Sequence, residues 1–221
     1  DVGANIGNHS LYFSKFFKKV YSFEPHPEIF ELLKFNVRKS KNVDIFLIGL
    51  SNMNDVMKIK TENGTMLGSS FLEKIPDSKS ENEIDVSNVQ VKKFDDFFRN
   101  INEENHISFI KLDIEHHEYF ALQGMKQTIK QNSPIICFEQ HEHQFDYFNE
   151  VLSSDVINFL KNNNYSYFYE VLYLRKWRFS KNYFANHTFV NKLLKVFEVI
   201  LFGMPEASRY LTRINEFQRK F

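Results

Sequence analysis

Alternation of short apolar runs with amphipathic stretches predicts an α/β protein built on a mostly parallel sheet. Two further features point the same way. A turn bearing two glycines, Asp1-Val2-Gly3-Ala4-Asn5-Ile6-Gly7, leads into the first helical stretch. Apolar runs end in carboxylates, as at Glu24 and Asp113, and the carboxyl ends of parallel strands are where such sheets hold their ligands.

Each element follows from its local pattern. Asp1-Val2 reads as the end of a first strand whose beginning lies upstream. Asn8 to Lys19 predicts a helix with Leu11, Tyr12, Phe16 and Phe17 inward. Val20 to Glu24 predicts a strand, and Pro27 suits the first position of a helix carrying Ile29, Leu32, Leu33, Asn36 and Val37 at helical spacing. Val43 to Leu50 reads as a third strand and Val56 to Lys60 as another. Ser78 to Asn88 is polar and reads as a surface loop, followed by a strand over Val89 to Lys93 and a short helix over Asp95 to Asn100. Ile107 to Ile114 predicts a buried strand, His117 to Gln131 a helix and Pro134 to Glu139 the next buried strand. Asp155 to Asn164 predicts a helix with Val156, Ile157 and Leu160 inward, and Tyr165 to Leu174 returns to strand. Thr188 to Phe202 predicts a helix with only a narrow polar face. The expected division is a sheet-bearing domain over 1–174 and a helical C-terminal extension over 175–221.

The chain has 221 residues, 43% hydrophobic and 25% charged, which suits one domain with a sizeable core and an appendage. Gly is scarce at 7 residues, so a glycine is expected to have a backbone task. A formal net charge of +0 argues against nucleic acid as a partner. The lone Cys137 sits in an apolar run and fits a reducing, cytoplasmic setting. No stretch reaches the roughly 18 apolar residues that span a bilayer. The apolar face over Thr188 to Phe202 is expected to pack or to serve a homodimer, with peripheral membrane contact as the lesser reading.

The first turn, the next strand and its terminal acid form a constellation. Gly3 and Gly7 leave room for backbone to approach a ligand, because a Cβ there would block it. Glu24 ends the next strand, where an acid can grip a ribose diol by two hydrogen bonds. A dinucleotide loop wants a middle glycine to receive a pyrophosphate, and Asn5 stands there instead. S-adenosylmethionine lacks phosphates and carries a sulfonium and an ammonium, beside which the acid at Asp1 is sensible.

Asp1-Val2-Gly3-Ala4-Asn5-Ile6-Gly7, Phe23-Glu24-Pro25, Ile110-Lys111-Leu112-Asp113-Ile114-Glu115-His116-His117-Glu118 and Pro134-Ile135-Ile136-Cys137-Phe138-Glu139 together resemble the FkbM-type methyltransferases, over most of residues 1 to 170. The resemblance implies a Rossmann-like class I methyltransferase sheet with helices on both faces. It also implies S-adenosylmethionine as cofactor, held by Asp1, Gly3, Asn5, Gly7 and Glu24, and oxygen methylation of a sugar or natural product. It places Asp113 and Glu115 at the strand end facing the transferred methyl. One departure is His116, where the family commonly has Gly; glycine adopts a positive φ there more readily than His.

Asp113 to Glu118 and Glu139 to His143 should end on the same sheet edge. Methyl transfer to a hydroxyl gains from a base that takes the proton, and the candidates in order are His117, Asp113 and Glu115. A divalent metal is chemically reasonable but less favoured, because these residues lack a specific ligand spacing. His9, His26, His106 and His187 read as surface or capping residues. The stretch Tyr165, Tyr167, Phe168, Tyr169, Tyr173 and Trp177 reads as core packing, with a wall for a sugar acceptor as the alternative. Two rival functions remain: a nicotinamide-dependent oxidoreductase, and a non-catalytic binding module on the same fold.

Overall fold

Parallel pairing begins with β1 (Val20–Phe23) against β2 (Val43–Phe46), Val20 opposite Val43 and Phe23 opposite Phe46. The structure, a computed structural model, describes residues 1–61, 70–73, 86–101, 106–115, 117–138, 153–172 and 199–205. On the other side of β1 run Asp1 and Val2, wedged between it and β7 (Phe109–Leu112). Phe23 N donates to Asp1 O and Val2 N to Lys111 O, both at 2.9 Å. β7 pairs in parallel with β8 (Ile135–Phe138). β10 (Val199–Pro205) lies antiparallel to both β8 and β9 (Tyr165–Leu172). The order is therefore β2, β1, Asp1–Val2, β7, β8, β10, β9.

Two apolar clusters flank this sheet. Val43 and Ile45 of β2 join Ala4, Leu33 and Val37, the last two from α2 (Pro27–Val37). Phe46, one residue on and so on the opposite face, joins the larger cluster with Phe23, Leu112 and Phe138. That cluster takes in Phe94 of α3 (Phe94–Ile101), Leu122 of α4 (Glu118–Gly124), Ile129 of α5 (Lys126–Asn132) and Leu160 of α6 (Ser153–Lys161). The abundant Phe is spent here: Phe23 lies edge-on to Phe94 at 5.8 Å and to Phe97 at 5.6 Å, and stacks on Phe46 at 5.2 Å. Aromatic pairs in these geometries add about 0.5–1.5 kcal/mol each beyond their area. Cys137 is buried in β8, which pushes its thiol well above the ordinary range and leaves it unreactive.

A second sheet has the order β3 (Gly49–Leu50), β6 (Val86–Lys92), β4 (Asp55–Thr61), β5 (Ser70–Glu73). Met57, Ile59, Val89 and Val91 form its own small core.

Several expectations need correction. The run Val43 to Leu50 is two strands in two sheets, broken at Leu47, which is 44% exposed. The first helix, α1, spans only Asn8–Phe13. Phe16 N and Phe17 N both turn back to Phe13 O, which closes the helix and leaves Phe16 39% exposed, while Ser10 and Phe13 face inward. The helix expected from His117 to Gln131 is broken at Met125: a Cβ on Gly124 would sit 1.9 Å from Ser51 O, so the chain bends where it meets β3. Residues 86–88, expected in a loop, belong to β6. The helix expected over Thr188 to Phe202 is overturned at its end, because Val199 to Phe202 lie in β10. That strand is hydrogen-bonded on both edges, and a strand inside a sheet can carry an unbroken apolar run that periodicity cannot separate from a buried helix. It also joins the same sheet as the strands of residues 1–174 instead of standing in a separate helical piece. Residues 188–198 lie outside the described residues. Among the described residues, no helix is long and apolar enough to cross a membrane.

Candidate functional site

The glycine turn joins Val2 to α1 at the carboxyl end of the sheet. Gly3 has φ +74° and Gly7 φ +92°, the left-handed region that glycine tolerates best. A Cβ on Gly3 would lie 1.9 Å from Asp113 O, and one on Gly7 2.7 Å from Leu33 Cδ1. The reason offered above for these glycines is therefore revised: what they make room for is the protein's own β7 end and α2. Asn5 also has a positive φ, 48°, which Asn tolerates better than most residues, and its Oδ1 accepts Ile6 N at 2.7 Å.

Glu24, 6% exposed, clamps this turn. Its Oε2 accepts Asn5 N and its Oε1 accepts His26 N, each at 2.9 Å. Burial pushes the Glu24 carboxyl above the usual range, and the two amides and the Lys111 ammonium pull the other way. Asn36 of α2 holds the far side, donating to Ile6 O at 2.8 Å.

The Asp1 side chain is fully buried, so its immediate cation is internal. Ser10 Oγ donates to Asp1 Oδ2 at 2.6 Å and is 2.8 Å from Ser22 Oγ. Lys111 Nζ lies 3.4 Å from Asp1 Oδ1, donates to Gly3 O at 2.9 Å and lies 3.1 Å from Asp113 Oδ2. Lys111 lies within the third motif, where the family resemblance implies no role for it. The available signal was a charge inside an otherwise apolar strand, two residues before Asp113 and so on the same side.

Asp113, with its side chain 39% exposed, ends β7, and Glu115 follows with φ +49°. Glu118, 5% exposed, turns back so that Oε1 accepts Ile114 N at 3.0 Å. Burial first, and then the nearby Asp113 and Glu115 charges, push the Glu118 carboxyl up to about 7 against the stabilising amides. His117, ranked first as a base, is 3% exposed; its Nε2 lies 3.1 Å from Ser51 Oγ and its ring packs on Phe120. That pose presents almost no surface to an acceptor. His26 is buried at the start of α2 and not on the surface. Tyr165 is in the core and donates to Pro134 O at 2.7 Å, whereas Tyr167 is 40% exposed. His116 and Glu139 to His143 lie outside the described residues, as do His187, Tyr173 and Trp177. Among the described residues, no group of three His, Cys, Asp or Glu side chains could hold a metal.

A cavity of about 380 Å³ lies at the other end of the strands, lined by Val20, Ser108, Phe109, Phe13 and Phe17 among others. Val20 and Phe109 start β1 and β7, and of the first turn only Asp1 and Val2 join the lining, so the cavity is not the space above Gly3 to Gly7.

Comparison with known proteins bears on this edge. The family described as the methyltransferase FkbM domain matches residues 1–167. The fold is similar to a methyltransferase FkbM from Methylobacillus flagellatus KT, with a TM-score of 0.52 and 15% identity, over 92% of this chain and 42% of that one. The chain thus spans less than half the length of that protein. No curated protein matches the sequence. With the glycine turn, Glu24 and the Asp113 turn all inside the matched span, the chain belongs to the FkbM methyltransferase domain family.

Proposed function

We propose that the chain moves a methyl group from S-adenosylmethionine to an acceptor hydroxyl on a sugar or glycan-linked metabolite. The observation that carries this reading is charge. Asp1, Glu24 and Asp113 gather about one ammonium, that of Lys111. An edge with more anions than cations suits a sulfonium and an ammonium and repels a pyrophosphate. The residues present fit the donor. A carboxylate oxygen has about two acceptor sites, so Glu24 retains capacity for a ribose diol after serving two amides. A sheet parallel through β8, with one antiparallel strand slotted before β9, supports a Rossmann-like class I fold.

When bound, S-adenosylmethionine would supply an electrophilic methyl carbon whose bond to sulfur would break, leaving its electron pair on sulfur, as an acceptor oxygen bonded the carbon. Asp113, half-exposed at the end of β7, is assigned the positive charge and the orientation of the acceptor. Glu115, two residues on, is assigned the hydroxyl proton, since Asp113 already engages Lys111. His117 is assigned a supporting part behind them, starting α4 and holding Ser51.

Isothermal titration with S-adenosylhomocysteine and with NAD tests the donor. Binding of S-adenosylhomocysteine, with a Kd on the order of micromolar, and not of NAD is expected. Binding of NAD alone overturns the reading in favour of an oxidoreductase, and binding of neither favours a non-catalytic module.

A further inference from the structure

We infer that Lys111 is a positioning residue, a buried ammonium that ties the glycine turn to the Asp113 carboxylate and sets how that carboxylate meets the methyl donor's charge. The inference rests on the donor reading above and adds a residue and a part that it does not contain. Three contacts carry it. Nζ donates to Gly3 O at 2.9 Å, sits 3.1 Å from Asp113 Oδ2 and sits 3.4 Å from Asp1 Oδ1, with the Lys111 side chain only 3% exposed. Burying an ammonium is expensive, and an apolar side chain often packs such a position at no loss of stability. The charge therefore calls for an explanation beyond packing. Its three contacts supply one, because they join turns that belong to different strands. The same two turns touch at a second point, where Gly3 lies against Asp113 O. Lys111 Nζ thus holds one oxygen of Asp113 against a frame made of the Gly3 carbonyl and the Asp1 carboxylate, itself anchored by Ser10 at 2.6 Å.

A structural part alone lowers the affinity for every ligand of the pocket together. A positioning part acts on the charged donor and spares its neutral product, because only the donor carries the sulfonium that Asp113 meets. The variant Lys111→Met removes the ammonium and leaves every acid of the edge in place, so a change of charge alone would strengthen S-adenosylmethionine, not weaken it. Titration at neutral pH is expected to weaken S-adenosylmethionine by about tenfold while S-adenosylhomocysteine stays within about threefold, with the far-ultraviolet circular dichroism of the wild type. Parallel losses, or no loss, overturn the inference. Should that variant fail to fold, Lys111→Arg keeps the buried charge, but its planar fork cannot reproduce all three Nζ contacts. It is expected to weaken the charged donor selectively by about threefold, and unchanged or parallel affinities overturn the inference equally. Wild-type protein that binds neither ligand removes the donor reading itself, and this inference with it. Selective loss in the variants cannot be confused with that result.

Discussion

Two turns at one edge of the sheet use the same device under opposite electrostatics. In each, a buried carboxylate accepts a backbone amide of the turn: Glu24 takes Asn5 N, and Glu118 takes Ile114 N. Glu24 also receives His26 N and feels the Lys111 ammonium. The Glu118 carboxyl is instead raised, first by burial and then by the like charges of Asp113 and Glu115, to about 7. The turns differ in backbone as well. The first spends Gly3, Gly7 and Asn5, residues that tolerate a left-handed backbone, on its positive φ values, whereas the second places Glu115 at φ +49°. The contrast teaches that the first turn is a rigid frame, while the second accepts electrostatic and backbone strain to crowd acids where chemistry is assigned.

The largest expected effect lies in the frame. Gly3→Ala puts a Cβ on the Asp113 carbonyl at a left-handed φ, and a loss of about 4 kcal/mol or more in urea unfolding is expected. A loss below about 1 kcal/mol breaks the claim that this turn is rigid. Next comes pH. Unfolded, Glu118 titrates near its ordinary 4.5; folded, at about 7. Its raised value means the folded state holds the proton more tightly. Its contribution is therefore fully present below 4.5 and is lost as pH rises to about 7. Glu118→Gln keeps an acceptor for Ile114 N and cannot ionise. Its stability advantage over wild type is expected to grow from near zero at acid pH to about 3 kcal/mol at pH 8, and a difference flat with pH sinks the claim that burial and the neighbouring acids raise this carboxyl. At Glu24 the same replacement turns an NH2 towards an amide donor, so Glu24→Gln is expected to lose about 2 kcal/mol in the same urea assay; a gain there erases the contrast between the two clamps. Smallest is Glu115→Gly, which relieves a left-handed φ and is expected to gain about 1 kcal/mol by thermal unfolding. Any loss there shows that the Glu115 side chain contributes more than the strain costs.

Short-range signals were legible wherever one residue type had one local reason. Pro27 does start α2, because its ring presets φ and its missing amide is no loss there. The alternating apolar side chains of Val56 to Lys60 do mark a strand, and Met57 and Ile59 bury on one face. The Asp113 turn was located by its acids, but its shape was not, since the clamp comes from Glu118 one helical turn later and its φ from Glu115. His117 was chosen by residue type alone; that its ring is buried with Nε2 3.1 Å from Ser51 Oγ depends on a residue 66 positions away, which no local pattern shows. β10 was misjudged by periodicity, because an unbroken apolar run fits a central strand as well as a buried helix.

Sequence alone determined elements such as α2 and β4, the two glycines that a left-handed turn requires and the acids at the strand ends, because these depend on residues a few positions apart. Tertiary structure alone decided which charges face one another. Lys111 reaches Gly3 across 108 residues of chain, and no local pattern can say that an ammonium in β7 will sit between the acid of the first strand and the acid of its own.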